Sequence, residues 1–400
     1  MSGQSHPLRN PRESALLPAS GAWRPGDHPG WRQFVKVCES RCFALEGGGV
    51  LDEIDVAFET WGELDATASN AILVCHALTG DAHAAGPSGP GQPTDGWWND
   101  LVGPGKSIDT DRFFVVCANV LGGCQGTTGP ASINPTDGKP YGSRFPVVST
   151  RDIVRTQAML ADHLGISRWL SVVGGSMGGM QVLEWAVMFP DRVDSIAAIA
   201  STGAASPMQI GWSETGRLAI VNDAKWNGGD YYDAADGEGP TEGLMLARRI
   251  AQIHYRSDDS LNNRFGRSTV GRLDSFNLWD RFQVESYLDY HGEKLARRFD
   301  ANSYLVLNKA MDLHDLGRGR GGIDVALQRI KCPSLVVSID SDILYTPRQQ
   351  AELRDGLEAG GSDVRYEELQ SEHGHDGFLI EFATLGPMIE SFLEDQAKSD

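Results

Sequence analysis

Apolar residues gather into short unbroken runs at five places along this chain: Ala71–Cys75 (AILVC), Phe113–Cys117 (FFVVC), Trp169–Val173 (WLSVV), Ser195–Ala200 (SIAAIA) and Ser334–Ile339 (SLVVSI). Each has the length of a strand and lacks polar alternation, the pattern of strands covered on both faces in a parallel sheet. Helix signals lie between them. Thr150–Leu164 opens on a Ser/Thr/Asp start, and Met180–Phe189 is stopped by Pro190. Strand and helix in alternation predict an α/β fold with a mostly parallel central sheet flanked by helices. Ahead of these runs, Gly47, Gly48 and Gly49 predict a hairpin turn, and Ile54–Thr60 a further strand.

The rhythm breaks between about residues 205 and 325, where helical segments such as Gly243–Ile253 and Ser303–Leu313 follow one another with few strand signals. That interval reads as an inserted helical cap, or lid, over a core formed by residues 31–204 and 326–400. The last helix carries Phe378, Leu379, Phe382, Leu385, Ile389, Phe392 and Leu393 at helical spacing. Pro387 is expected to kink or divide it. At the other end, Pro7, Pro11, Pro18, Pro25 and Pro29 punctuate residues 1–30 without apolar periodicity, which predicts a disordered arm.

Composition narrows the function classes. Four hundred residues, 40% of them apolar, can bury a large core. A formal charge of -19 with no basic run argues against a nucleic-acid partner, whose phosphates are met by Lys and Arg. The sequence offers no membrane-length apolar run and no secretory h-region, so a soluble, cytoplasmic protein without membrane partners is expected. Cys38, Cys42, Cys75, Cys117, Cys124 and Cys332 are spread thinly and read as reduced, mostly buried thiols. Cys38 and Cys42 lack the second pair of ligands a metal site needs, so a core role is expected for them as well.

The chemistry is concentrated in Val172–Gly179, VVGGSMGG, where Gly174, Ser176 and Gly178 form G-x-S-x-G directly after a buried strand and before a helix. In that context the motif is a nucleophile elbow: a strained turn presents the serine, and the flanking glycines avoid collision with neighbouring backbone. A serine hydroxyl is a weak nucleophile at neutral pH and needs a histidine base oriented by an acid. In this fold the chain order is Ser, acid, His. Asp340 and Asp342 follow the Ser334–Ile339 strand, and His373 and His375 stand near the carboxyl terminus, so the residues alone leave both the acid and the base open. Attack on a carbonyl creates an oxyanion, for which the backbone N–H groups of Leu78 and Met177 are the expected donors. His76 and His83 read as packing or hydrogen-bonding residues rather than metal ligands.

Six segments together, HALTGD (His76–Asp81), GPGQPTDGWW (Gly89–Trp98), NVLGGCQGTTGP (Asn119–Pro130), GSRFP (Gly142–Pro146), VVGGSMGG and HGHDGFL (His373–Leu379), strongly resemble the homoserine O-acetyltransferase family of the α/β-hydrolase fold, from about residue 32 to 395. The resemblance implies an acyltransferase of methionine biosynthesis that moves an acetyl group from acetyl-CoA to L-homoserine by way of Ser176. It implies Asp342 as the acid, His375 as the base, Arg248 as the partner of the acceptor's carboxylate and Asp376 as the partner of its ammonium group. Arg249 is the adjacent alternative to Arg248. A guanidinium fork suits a carboxylate, and a carboxylate suits an ammonium. No metal or tightly bound cofactor is implied, acetyl-CoA being a co-substrate, and a homodimer joined through the cap helices is the family expectation. A succinyl donor, a serine acceptor, or water as acceptor in a hydrolase are the rival readings. The acidic stretch Gly228–Gly239 touches none of the six segments, so no change in chemistry is expected from it. Arg318 and Arg320 are the candidates for a basic patch that would offset the chain's charge toward the CoA phosphates.

Overall fold

The computed structural model describes residues 17–39, 43–271 and 278–398. Its strands are β1 (Gln33–Cys38), the hairpin β2 (Phe43–Ala44) and β3 (Val50–Leu51), β4 (Ile54–Trp61), β5 (Ala71–Cys75), the short β6 (Val102–Gly103) and β7 (Ile108–Asp109), β8 (Phe114–Ala118), β9 (Ser171–Gly175), β10 (Ile196–Ile199), β11 (Ser334–Ile339) and β12 (Val364–Leu369). Eight of them form one sheet in the order β1-β4-β8-β5-β9-β10-β11-β12. From β8 to β12 every neighbour is parallel, and β1 and β4 add an antiparallel edge. The fold is therefore the mostly parallel α/β-hydrolase sheet flanked by helices.

The unbroken apolar runs have a direct cause. In β5, Leu73 and Cys75 enter the core on one face of the sheet, while Ile72 and Val74 enter the core on the other; Val172 and Val173 of β9 divide the same way. Side chains alternate across a strand, so only a strand buried on both sides can be apolar at every position.

The helices are α1 (Thr150–His163), α2 (Met177–Met188), α3 (Pro207–Val221), α4 (Thr241–Tyr255), α5 (Asp258–Phe265), α6 (Gln283–Ala296), α7 (Ala301–Asp312), α8 (Ile323–Leu327), α9 (Pro347–Gly360) and α10 (Phe382–Ala397). Ser149 and Ser206 start α1 and α3 with reciprocal capping boxes to Asp152 and Gln209. Helices α3 to α8 all fall between β10 and β11, and α4 packs against α3, α6 and the Gly374–Leu379 turn. A Cβ on Gly292 of α6 would lie 3.2 Å from the Met245 side chain of α4, so the two helices cross closely. Among the described residues no helix is long and apolar enough to cross a membrane.

Four expectations need correction. Residues 1–16 lie outside the described residues, but residues 17–30 are held in place. Leu17 is fully buried, and Gly237, Phe299 and Cys124 exchange backbone hydrogen bonds with Leu17, Gly21 and Trp23. Extended backbone can be satisfied by distant partners without any periodic signal in its own sequence. Pro387 does not divide α10, which runs as one helix through it. Cys75, Cys117, Cys124 and Cys332 are free thiols, whereas Cys38 is disulfide-bonded, and Cys42 lies outside the described residues. Spacing could not say which thiols the fold oxidises. The acidic stretch does contact a motif, since Ser143 of GSRFP donates to the Gly228 carbonyl at 2.6 Å. The same stretch buries Tyr231 and Tyr232, whose hydroxyls both donate to Asp300.

Candidate active site

Ser176 sits between β9 and α2 with φ 58° and ψ -124°, a conformation that non-glycine residues rarely adopt. The strain is imposed by packing on both sides. A Cβ on Gly178 would lie 2.1 Å from the Cys75 carbonyl oxygen of β5, and one on Gly174 would lie 2.8 Å from Gly178. With no side chains there, α2 can approach the sheet closely and the turn stays sharp. The Ser176 amide donates to the Ile199 carbonyl, and Ser201 Oγ donates to the Ser176 carbonyl at 2.8 Å, which fixes the turn from the β10 side.

The hydroxyl faces a buried relay. His375 Nε2 lies 2.9 Å from Ser176 Oγ, and His375 Nδ1 lies 2.7 Å from Asp342 Oδ2. All three residues are at least 95% buried. Asp342 Oδ1 accepts from the backbone N–H groups of Leu344 and Tyr345, which orients the carboxylate and leaves Oδ2 for the imidazole. Nδ1–H donating to the carboxylate presents Nε2 as an acceptor for the serine proton. The two alternatives lie elsewhere: Asp340 Oδ1 accepts from the Ser371 amide, and His373 contacts Ser260 and Glu381.

The Leu78 and Met177 amides donate to no other group among the described residues, and both residues are buried. Met177 opens α2, where helix geometry leaves N–H groups free and the dipole favours negative charge. Leu78 lies in the turn after β5, and Arg298 donates to the next carbonyl, that of Thr79, at 2.8 Å. Beneath this turn His76 is clamped, Nδ1 donating to the Ala77 carbonyl and Nε2 accepting from the Val120 amide; burial lowers its pKa. His83 bonds Glu59. Both histidines therefore act as struts, and no metal-ligand cluster occurs among the described residues.

Helix α4 supplies Arg248, half-buried, with its guanidinium 5.4 Å from the centre of the Tyr255 ring. It has no ion pair among the described residues, whereas the adjacent Arg249 is engaged by Asp289. Asp376, next to the base, is held through Oδ2 by Gln252 at 3.2 Å and by Arg256 at 3.3 Å. Arg318 and Arg320 do not form a free basic patch. Arg320 pairs with the buried Glu184 at 2.7 Å and Arg318 with Glu46 at 3.0 Å. A carboxylate as buried as Glu184 demands a counter-ion, and that demand consumes the charge.

Sequence reasoning passed over Tyr255 and Tyr345, which wall the relay with ring centres 5.7 and 5.0 Å from His375. Tyr255 follows Arg248 by seven residues on one helix, which returns it to the same face, and that spacing was the available signal. His254 stacks on Trp212 beside this wall; burial, then the charges of His375 and Arg248, push its pKa down to about 3.

Residues 70–381 match the alpha/beta hydrolase fold family. The homoserine O-acetyltransferase of Thermobifida fusca (strain YX) is 51% identical over 377 residues, covering 94% of this chain and 97% of that protein. That of Moorella thermoacetica is also 51% identical, over 89% of this chain and 94% of that protein. Among solved structures, the homoserine O-acetyltransferase from Bacillus anthracis superposes with a TM-score of 0.81 at 28% identity, over 90% of this chain and 97% of that one. Esterase E22 superposes with a TM-score of 0.82 at 30% identity, over 90% of this chain and 99% of that one.

Proposed function

This chain belongs to the homoserine O-acetyltransferase family of the α/β-hydrolase fold, and from that premise we propose that it moves an acetyl group from acetyl-CoA to L-homoserine through an ester on Ser176. His375 Nε2 takes the hydroxyl proton as Oγ attacks the thioester carbonyl. The oxyanion is met by the Leu78 and Met177 amides. Collapse breaks the C–S bond, and His375 returns its proton to the departing sulfur. In the second half the homoserine hydroxyl gives its proton to His375, attacks the ester carbonyl, and leaves as O-acetylhomoserine while Oγ recovers a proton. Asp342 fixes the imidazole tautomer and stabilises the imidazolium in both halves.

The superpositions do not separate transferase from esterase, because both kinds of neighbour fit almost equally well. Water can deacylate the same ester, so a transferase must hold its acceptor better than chance encounter does. The observation that favours transfer is Arg248, a half-buried guanidinium without a carboxylate partner among the described residues, on the cap helix that faces His375 through Tyr255. It suits the acceptor's carboxylate, and the Asp376 carboxylate suits its ammonium group. We assign the acetyl donor over succinyl and homoserine over serine on family membership.

The test is release of free CoA from acetyl-CoA or succinyl-CoA by the purified protein, each with and without homoserine or serine. Strong dependence on homoserine with accumulation of O-acetylhomoserine is expected. A release rate indifferent to acceptor would make the protein a hydrolase. We propose further that a second copy of the chain covers Met208 and Leu218 of α3 and Leu246 and Ile253 of α4, all exposed apolar side chains. Light scattering at micromolar concentration reads the dimer directly.

A further inference from the structure

An acyl-CoA donor carries phosphates, and a chain of formal charge -19 repels them unless some part of its surface is locally cationic. The carboxyl end of α6 is such a place. Lys294 lies in the last turn of α6, Arg297 is its C-cap and Arg298 is the next residue. Arg297 and Arg298 line a surface cleft whose other walls are Gly21–Trp23 and the loop bearing Gly89, Gly91 and Gln92.

Lys294 and Arg297 are exposed, and neither forms an ion pair among the described residues. The carboxylates at hand are Asp27, in the cleft and already accepting from the Arg24 amide, Asp81, which acts on Arg298 from the oxyanion-loop side, and Glu293, four residues before Arg297 on α6. The carbonyls at the end of α6 favour cations there. Burial, then the charges of Arg298 and Arg248, lower the pKa of Lys294, so the cations do feel one another. Arg298 also connects the cleft to the reaction centre, because its Nη2 donates to the Thr79 carbonyl, one residue beyond the proposed oxyanion donor Leu78.

We propose that the cleft lined by Arg297 and Arg298, with Lys294 three residues before Arg297 in the last turn of α6, seats the phosphates of the acyl-CoA donor, and that the pantetheine arm runs from it past the Leu78–Thr79 turn to Ser176. The assignment rests on the acyl-CoA reading of the site.

The experiment compares wild type with the double variant Lys294→Glu/Arg297→Glu, using two donors: acetyl-CoA and S-acetyl-N-acetylcysteamine, a thioester without phosphates. Arg348→Glu/Lys398→Glu, at exposed sites on α9 and just beyond α10, makes the same change in net charge and serves as control. The expected result is a KM for acetyl-CoA raised about tenfold or more at unchanged kcat, with the phosphate-free donor unaffected and the control near wild type. Added salt should raise the wild-type KM for acetyl-CoA and leave that of the double variant almost flat. Equal losses with both donors, or a control as impaired as the double variant, would overturn the proposal. A wild-type protein that acetylates homoserine from neither donor would instead remove the acyl-CoA reading itself.

Discussion

Replacing Asp342 by Asn changes one atom of the relay, and the structure says which way the new amide must point. Oδ1 accepts from two buried amides, Leu344 and Tyr345, and Oδ2 faces His375 Nδ1 at 2.7 Å. An Asn that kept its oxygen toward the histidine would turn its NH2 group against both amides. Each buried donor left without an acceptor costs about 1–3 kcal/mol, so this orientation lies about 2–6 kcal/mol higher. The favoured orientation points the NH2 at His375 Nδ1 and forces the proton onto Nε2, where the imidazole can no longer accept from Ser176. At about 1.4 kcal/mol per factor of ten, the productive arrangement is depleted about 30-fold to more than 10⁴-fold. Loss of the carboxylate's charge opposite the imidazolium adds to this, so kcat for homoserine-dependent CoA release should fall by at least about 10²-fold. Circular dichroism should show a folded protein. Asp340→Asn keeps an oxygen for the Ser371 amide and should leave kcat nearly unchanged. A loss below tenfold for Asp342→Asn, or a larger loss for Asp340→Asn, would refute the reasoning.

Four further outcomes are expected. Ser176→Gly should be inactive yet more stable by about 1 kcal/mol, because glycine accepts the φ of 58° without strain; a calorimetric melting temperature at or below wild type would contradict this. Arg248→Ala should raise KM for homoserine about 10- to 100-fold, the worth of a hydrogen bond to a charged group, while single-turnover acetylation of Ser176 proceeds normally. Gly178→Ala should fail to accumulate as folded protein, since its Cβ would lie 2.1 Å from the Cys75 carbonyl oxygen; wild-type yield and melting would remove that explanation of the motif. Burial pushes the His314 pKa down to about 4, below its unfolded value of about 6.5, so the unfolded chain takes the proton first. Its contribution is complete above about pH 6.5 and is lost as pH falls toward 4, about 3 kcal/mol in all. Urea midpoints measured from pH 7 to 4 should therefore fall less in His314→Gln than in wild type.

Much of the active centre was legible in the chain because its determinants are local. Ser176 needs glycines two residues to either side and a strand-to-helix change, and both are visible as letters and runs. The five buried strands were legible for a similar reason: burial on both faces leaves no polar position, and β5 and β11 match the apolar runs residue for residue. Strands β1 and β12 gave weaker signals because their sides are only partly covered, and edge positions tolerate polar residues.

What the sequence by itself determined, then, is the periodicity, the elbow and the inventory of candidate acids and bases, all properties of neighbours along the chain. Only the tertiary structure decided which members of that inventory meet. It turned Asp342 rather than Asp340 toward the imidazole, paired Arg318 and Arg320 with Glu46 and Glu184, left Arg248 without a carboxylate among the described residues, and drew Leu17–Trp23 against Phe299 and Cys124. Charge pairing and backbone satisfaction between residues hundreds of positions apart depend on distances of a few ångströms in space, and sequence separation carries no record of those distances.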